Sequence, residues 1–87
     1  MNIVFTKEAF EDYKYWQQED KKTLKKINLL LEDIFRNGNA GIGKPEALLG
    51  NYTGFWSRRI DSKNRLIYRL ESNTVIIIAC RKHYLEK

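Results

Sequence analysis

Gly54-Phe55-Trp56-Ser57-Arg58-Arg59-Ile60, Asn64-Arg65-Leu66-Ile67-Tyr68-Arg69-Leu70 and Thr74-Val75-Ile76-Ile77-Ile78-Ala79-Cys80-Arg81-Lys82-His83-Tyr84 decide the fold. They read as three β-strands joined by two short polar turns, Asp61-Ser62-Lys63 and Glu71-Ser72-Asn73. In the second segment Leu66, Tyr68 and Leu70 alternate with Arg65, Ile67 and Arg69, so a period of two puts both arginines on one face. The third segment is apolar until Cys80, which predicts a strand buried on both sides. It is too short to span a membrane. Arg81 and His83 follow two apart, so an extended backbone would point them the same way. A sheet with cations gathered on one face and a lone histidine at a strand end is the first place to look for chemistry.

Working back from these strands, composition shifts abruptly between Gly38 and Gly54. All five glycines and the only proline, Pro45, fall there. A loop of this length in a small domain is usually functional or disordered. It has no Gly-Lys-Ser/Thr and no Gly-x-Gly-x-x-Gly, so it is no standard phosphate loop. Within it, Pro45 stiffens Gly43-Lys44-Pro45-Glu46, and Leu48 and Leu49 are expected to anchor the turn on the core. Before the loop come two helices. Thr6 is a good cap for the first, whose Phe10, Tyr13, Trp16 and Gln17 recur at helical spacing. Asp20 can cap the second, with Leu24, Ile27, Leu31, Ile34 and Phe35 on its apolar side and Lys21, Lys22, Lys25 and Lys26 facing water. Asn37-Gly38 ends it. Asn2-Ile3-Val4-Phe5 adds a short first strand. The predicted order is β-α-α-loop-β-β-β, an α+β fold with two helices on one face of a small, mostly antiparallel sheet.

Eighty-seven residues predict one domain, residues 1–87, with one core. No apolar run approaches membrane length and no export signal opens the chain, so a soluble cytoplasmic protein is expected. The single cysteine, Cys80, sits in the most apolar strand and reads as buried packing. The net charge of +5 is unevenly placed. Residues 1–36 carry seven basic and seven acidic side chains, whereas residues 37–87 carry nine basic against four acidic. Five of those nine are arginine, whose planar fork suits phosphate. A polyanion partner or a merely solvating basic surface would both produce this.

RNA carries its own nucleophile, the 2′-hydroxyl. Cleaving it needs a base for that proton, a cation for the phosphoryl oxygens and an acid for the departing 5′-oxygen. Glu46, Arg59, Arg65 and His83 supply these types, and no cluster has metal-ligand spacing, so no cofactor is expected. On residues alone, RNA cleavage, RNA binding without catalysis and a simple basic surface all stay open.

Tyr15-Trp16-Gln17, Lys25-Lys26-Ile27-Asn28, Gly43-Lys44-Pro45-Glu46, Gly54-Phe55-Trp56-Ser57-Arg58-Arg59-Ile60, Arg65-Leu66-Ile67-Tyr68 and Ala79-Cys80-Arg81-Lys82-His83-Tyr84 narrow the choice. In this order they resemble the YoeB toxins of the RelE/ParE superfamily along essentially the whole chain. The resemblance implies a RelE-like fold and a type II toxin, a metal-independent endoribonuclease that cuts mRNA in the ribosomal A site. It also implies a homodimer and a YefM-like acidic antitoxin. The family's roles fall on Glu46 as general base, Arg65 as phosphate-stabilising cation and His83 as second acid–base group. Lys44, Arg59 and Tyr84 fall among substrate contacts. A sister activity of the superfamily, gyrase poisoning, works without the Glu/His pair present here. The family often has a lysine where this chain has Leu49, and Leu85-Glu86-Lys87 follow the tyrosine at which members commonly end.

Overall fold

The computed structural model describes residues 1–82, running β1 (Asn2–Phe5), α1 (Lys7–Glu19), α2 (Lys21–Asn37), β2 (Glu46–Ala47), β3 (Trp56–Arg59), β4 (Arg65–Glu71) and β5 (Thr74–Ala79). A 3₁₀ turn over Gly50–Tyr52 lies between β2 and β3. Both helices start at the expected caps. Thr6 Oγ1 accepts the Ala9 N–H at 3.2 Å, and Asp20 Oδ1 accepts those of Lys22 and Thr23. Each satisfies donors that a helix start leaves orphaned. Gly38, at φ 63, closes α2 through its N–H to Ile34 O at 2.9 Å.

The sheet has five strands in the order β1-β5-β4-β3-β2. All neighbours are antiparallel except β1, which lies parallel to β5. This is the α+β arrangement the sequence predicts, with β2 added. That two-residue strand was hidden in the loop, and it pairs Glu46 with Ser57 and Ala47 with Trp56.

The helices cover one face. Ala9 and Trp16 of α1 and Ile27, Leu30, Leu31 and Ile34 of α2 pack with Leu66, Tyr68, Val75, Ile77 and Cys80. Phe10 and Phe35, expected among the apolar positions, are instead 48% and 41% exposed. Each sits one position past a buried residue, Ala9 and Ile34, and so falls off the inward stripe. The opposite face is not bare: Leu48, Ile67 and Ala79 form a second cluster with Tyr52, Phe55 and Ile78 against it.

The last strand departs from expectation twice. Val75, Ile77 and Ala79 are buried, but Ile76 and Ile78 are only half-buried, so β5 is not enclosed on both sides. The register also slips: Tyr68 pairs with Ile77 and Ile67 with Ala79, leaving Ile78 unpaired. This bulge turns both Ile78 and Ala79 toward the second cluster and returns Cys80 to the helices. There Trp16 Nε1 donates to Cys80 O at 2.8 Å and the Cys80 N–H donates to Asp12 Oδ2 at 3.0 Å. Burial, with the nearby Asp12 charge, pushes the Cys80 thiol up to about 12, so it is inert packing as predicted. The strand ends at Ala79, and Lys82 has φ 67. The extended backbone expected from Arg81 to His83 is therefore interrupted. Among the described residues no helix is long and apolar enough to cross a membrane.

Candidate functional site

Strand β3 sends its side chains alternately to the two faces. Trp56 packs into the helix-side core and Arg58 is fully buried beneath α2, whereas Ser57 and Arg59 point the other way. Ser57 stands opposite Glu46 on one side and Ile67 on the other, and Arg59 stands opposite Arg65. On this face lies a cleft of about 420 Å³ lined by Lys44, Pro45, Glu46, Leu48, Ser57, Arg59 and Arg65. Lys44, Glu46, Arg59 and Arg65, four of the six residues singled out by sequence, thus share one cleft. The other two, His83 and Tyr84, lie outside the described residues.

The loop that brings Lys44 and Glu46 here is held closely. The Arg59 N–H donates to Gly43 O at 2.7 Å. A Cβ on Gly43 would meet Leu30 Cδ2 at 2.8 Å, and φ is 82, so both space and backbone demand glycine. Lys44 follows at φ 51, a left-handed conformation unfavourable for a residue that precedes proline. Such strain persists only where surrounding contacts impose it, and it is found disproportionately at functional sites. Downstream, the Leu48 N–H bonds Phe55 O at 2.9 Å. Leu48 anchors the turn as expected, but Leu49 is 83% exposed and anchors nothing, because neighbouring residues of extended backbone face opposite ways.

On the other wall, the Asp61–Asn64 turn fixes Arg65. Asp61 Oδ1 accepts the Lys63 and Asn64 N–H groups at 2.8 and 2.7 Å. Burial pushes the Asp61 carboxyl up, but these bonds and the Asn64 side chain outweigh it and hold it below the usual range. Arg65 Nη1 donates to Asp61 O and Asn64 O at 2.7 and 3.1 Å, which orients the guanidinium. The Arg65 N–H bonds Lys82 O at 3.1 Å, and the Lys82 N–H bonds Asn64 Oδ1 at 2.6 Å. The turn after β5 is therefore stitched to Arg65 and Asn64.

Not every arginine joins this face, as the sequence reading expected. Arg58 is spent on the opposite side, and Arg81 sits over the Tyr15 ring, its Cζ 3.6 Å from the centroid. Arg69 does share the Arg65 face, over Phe55 and 3.4 Å from Glu71. Among the described residues, the ion pairs are Lys14–Glu11, Arg58–Asp33 and Arg69–Glu71. Lys44, Arg59 and Arg65 are in none of them. Two arginines directly opposed across a ladder repel, which favours an anion between them. Ser57, which is buried at the cleft, was missed by sequence reasoning. Its spacing of two from Arg59 is the signal that places it there.

This geometry has counterparts among known proteins. A family model described as a YoeB-like toxin of bacterial type II toxin-antitoxin system matches residues 5–84. Toxin YoeB of Synechocystis sp. is 51% identical across 97% of this chain and 98% of its own. The toxin in a heterotetrameric YoeB–YefM complex from Staphylococcus aureus is 55% identical, with a TM-score of 0.91 over 97% of this chain and 98% of that one. A YoeB dimer from the same organism gives the same identity, coverage and TM-score.

Proposed function

Because this chain belongs to the YoeB-like toxins of bacterial type II toxin–antitoxin systems, we propose that it is a metal-independent endoribonuclease cutting mRNA in the ribosomal A site. The observation that carries this reading is the composition of one cleft. A carboxylate, Glu46, shares it with Lys44, Arg59 and Arg65, three cations outside the ion pairs of the described residues. A carboxylate weakens a surface built only to bind phosphate, but it serves as a base where a proton must leave.

In this mechanism Glu46 takes the proton from a ribose 2′-hydroxyl, and that oxygen attacks the adjacent phosphorus. Arg65, with Arg59 and Lys44, stabilises the charge gathering on the phosphoryl oxygens. The bond from phosphorus to the 5′-oxygen breaks, and His83 gives that oxygen its proton. The products are a 2′,3′-cyclic phosphate and a 5′-hydroxyl. Tyr84 serves as a substrate contact. Each proton transfer contributes on the order of 10²–10⁴ in rate.

The reading extends to partners. The +5 charge, concentrated beyond residue 36, suits an acidic YefM-like antitoxin whose disordered segment orders across the cleft face. The S. aureus YoeB dimer supports a homodimer here as well. Ribosomes place this action in the cytoplasm.

The test is single-turnover cleavage of mRNA on ribosomes. Glu46→Ala, Arg65→Ala and His83→Ala should each slow it at least about tenfold while remaining folded. The product should end in a 2′,3′-cyclic phosphate or its 3′-phosphate hydrolysis product. Wild-type rates in the Glu46 and His83 variants would remove the acid–base assignment, and a 3′-hydroxyl product would make water the nucleophile.

A further inference from the structure

Arg58 is the largest fully buried side chain among the described residues, and the cleft does not contain it. A guanidinium has five N–H donors, and the bonds of Arg58 match that number. Nε donates to Tyr68 Oη at 3.2 Å. Nη1 donates to Asp33 Oδ2 and, at 2.9 Å, to Ile42 O. Nη2 donates to Gly38 O at 2.6 Å and to Ala40 O at 2.8 Å. Three of these acceptors are main-chain carbonyls at alternate positions of one loop, 38, 40 and 42, which therefore curls around the charge. Asp33 closes the arrangement by accepting the Ile42 N–H at 3.1 Å. The next two residues of that loop are Gly43, bonded to the Arg59 N–H, and Lys44, held left-handed. Glu46 follows, paired with Ser57, the neighbour of Arg58.

We propose that Arg58 is a positioning residue: its buried guanidinium moulds the 38–43 loop, so that Lys44 and Glu46 are held over Arg59 and Arg65. Loops of this length do not hold a base in place without help, and a fixed geometry is what makes proton transfer efficient. Lysine keeps the charge but offers three donors from one point, so it cannot hold three carbonyls, a hydroxyl and a carboxylate together. The loop should then loosen while the charge stays paired. The catalytic part of this inference rests on the reading of Glu46 as base; the loop part does not.

The experiment has two readouts on Arg58→Lys. Hydrogen exchange in the free protein should show faster exchange of the Ile42 and Arg59 amides, with the amides of β4 and β5 unchanged. Single-turnover cleavage should slow at least about tenfold, and in a Glu46→Ala background the same change should cost several-fold less, because the larger part of its effect passes through Glu46 and only the remainder through Lys44. Equal costs in both backgrounds would reveal general structural damage and overturn the proposal, as would unchanged exchange of the loop amides. If Glu46→Ala leaves cleavage intact, the base assignment fails while the exchange readout still decides the loop. Should Arg58→Lys not fold, Gly41→Ala approaches from the other side. Its Cβ would meet Asp33 Oδ2 at 1.9 Å, at φ +122, and should give the same exchange and cleavage pattern. Wild-type behaviour of that variant would count against the clamp.

Discussion

Arg58 and Arg59 are adjacent on one strand and live in different worlds. Arg58, on the helix-covered face, is fully buried and all its donor capacity goes to the protein itself. Arg59, on the cleft face, is exposed and stands opposite another cation, Arg65. The pleat alone separates them. On the covered face the buried charge of Arg58 is answered within the fold, as burial requires. On the cleft face Lys44, Arg59 and Arg65 are in none of the ion pairs among the described residues, and only Arg69 is paired, with Glu71. That difference is what the proposed reading of the cleft as a phosphate-binding face rests on.

The largest effect expected from this contrast is on stability. Arg58→Ala would leave Asp33 and three carbonyls without their donor. Losing this fully buried side chain together with its hydrogen bonds should cost at least about 2 kcal/mol, a large share of the total stability of a small domain. Arg59→Ala should change stability by no more than about 0.5 kcal/mol, and it relieves the repulsion with Arg65. Urea midpoints of the two variants measure the difference directly. Similar losses for both would erase the distinction between the faces.

A smaller effect concerns pH, and the two sides give opposite signs. Asp61, which props the Arg65 turn, has a native pKa below the ordinary 3.8. Its contribution is therefore complete above 3.8 and disappears as pH falls through the lower native value. Asp12, beneath the Cys80 turn, is raised above 3.8, by burial first and against the Cys80 N–H bond. Its carboxylate costs stability above its native value, and the cost vanishes as pH falls toward 3.8. The advantage of wild type over Asp61→Asn should thus hold from neutral pH down to 3.8 and then close. Any advantage of Asp12→Asn over wild type should shrink as pH falls through the raised native value and be gone below 3.8. Urea unfolding across this range checks both, and parallel curves for the two variants would contradict the signs.

Much of this was legible in the chain because local rules and tertiary packing agree. Thr6 and Asp20 cap as their side chains dictate, and the alternation around Leu66 and Tyr68 sets the inward face. Lys44, Glu46, Arg59 and Arg65 meet because a stiff turn lies beside a strand end. Arg58 was not legible as a core residue, since its partner Asp33 lies 25 positions away on a helix. A signal existed: Trp56, Arg58 and Ile60 share a period of two, which puts the arginine with the apolar residues. Strand β2 was hidden because two residues show no alternation. The bulge at Ile78 was hidden because every neighbouring residue is apolar, so a slip of phase leaves no trace in the pattern.

The smallest effect is the sharpest test of what the cleft face is for. Leu49 is 83% exposed just past Glu46-Ala47-Leu48, so its side chain is free to be replaced. Leu49→Lys would add one cation two residues beyond β2, the strand that carries Glu46, without touching the core, so the unfolding free energy should stay within about 0.5 kcal/mol of the parent. If the added charge meets one phosphate of a single strand, the slope of log affinity against log salt should steepen by about 0.7. Affinity for a short RNA, measured with a cleavage-dead Glu46→Ala partner mutation, should rise a few-fold at low salt and less at high salt. Leu29→Lys supplies the control. Leu29 is 54% exposed on α2, on the far side of the sheet, and adds the same net charge. A generally basic surface would respond equally to both substitutions, because long-range attraction depends on total charge. A phosphate path confined to the cleft face would respond to Leu49→Lys and leave the slope of Leu29→Lys near that of the parent.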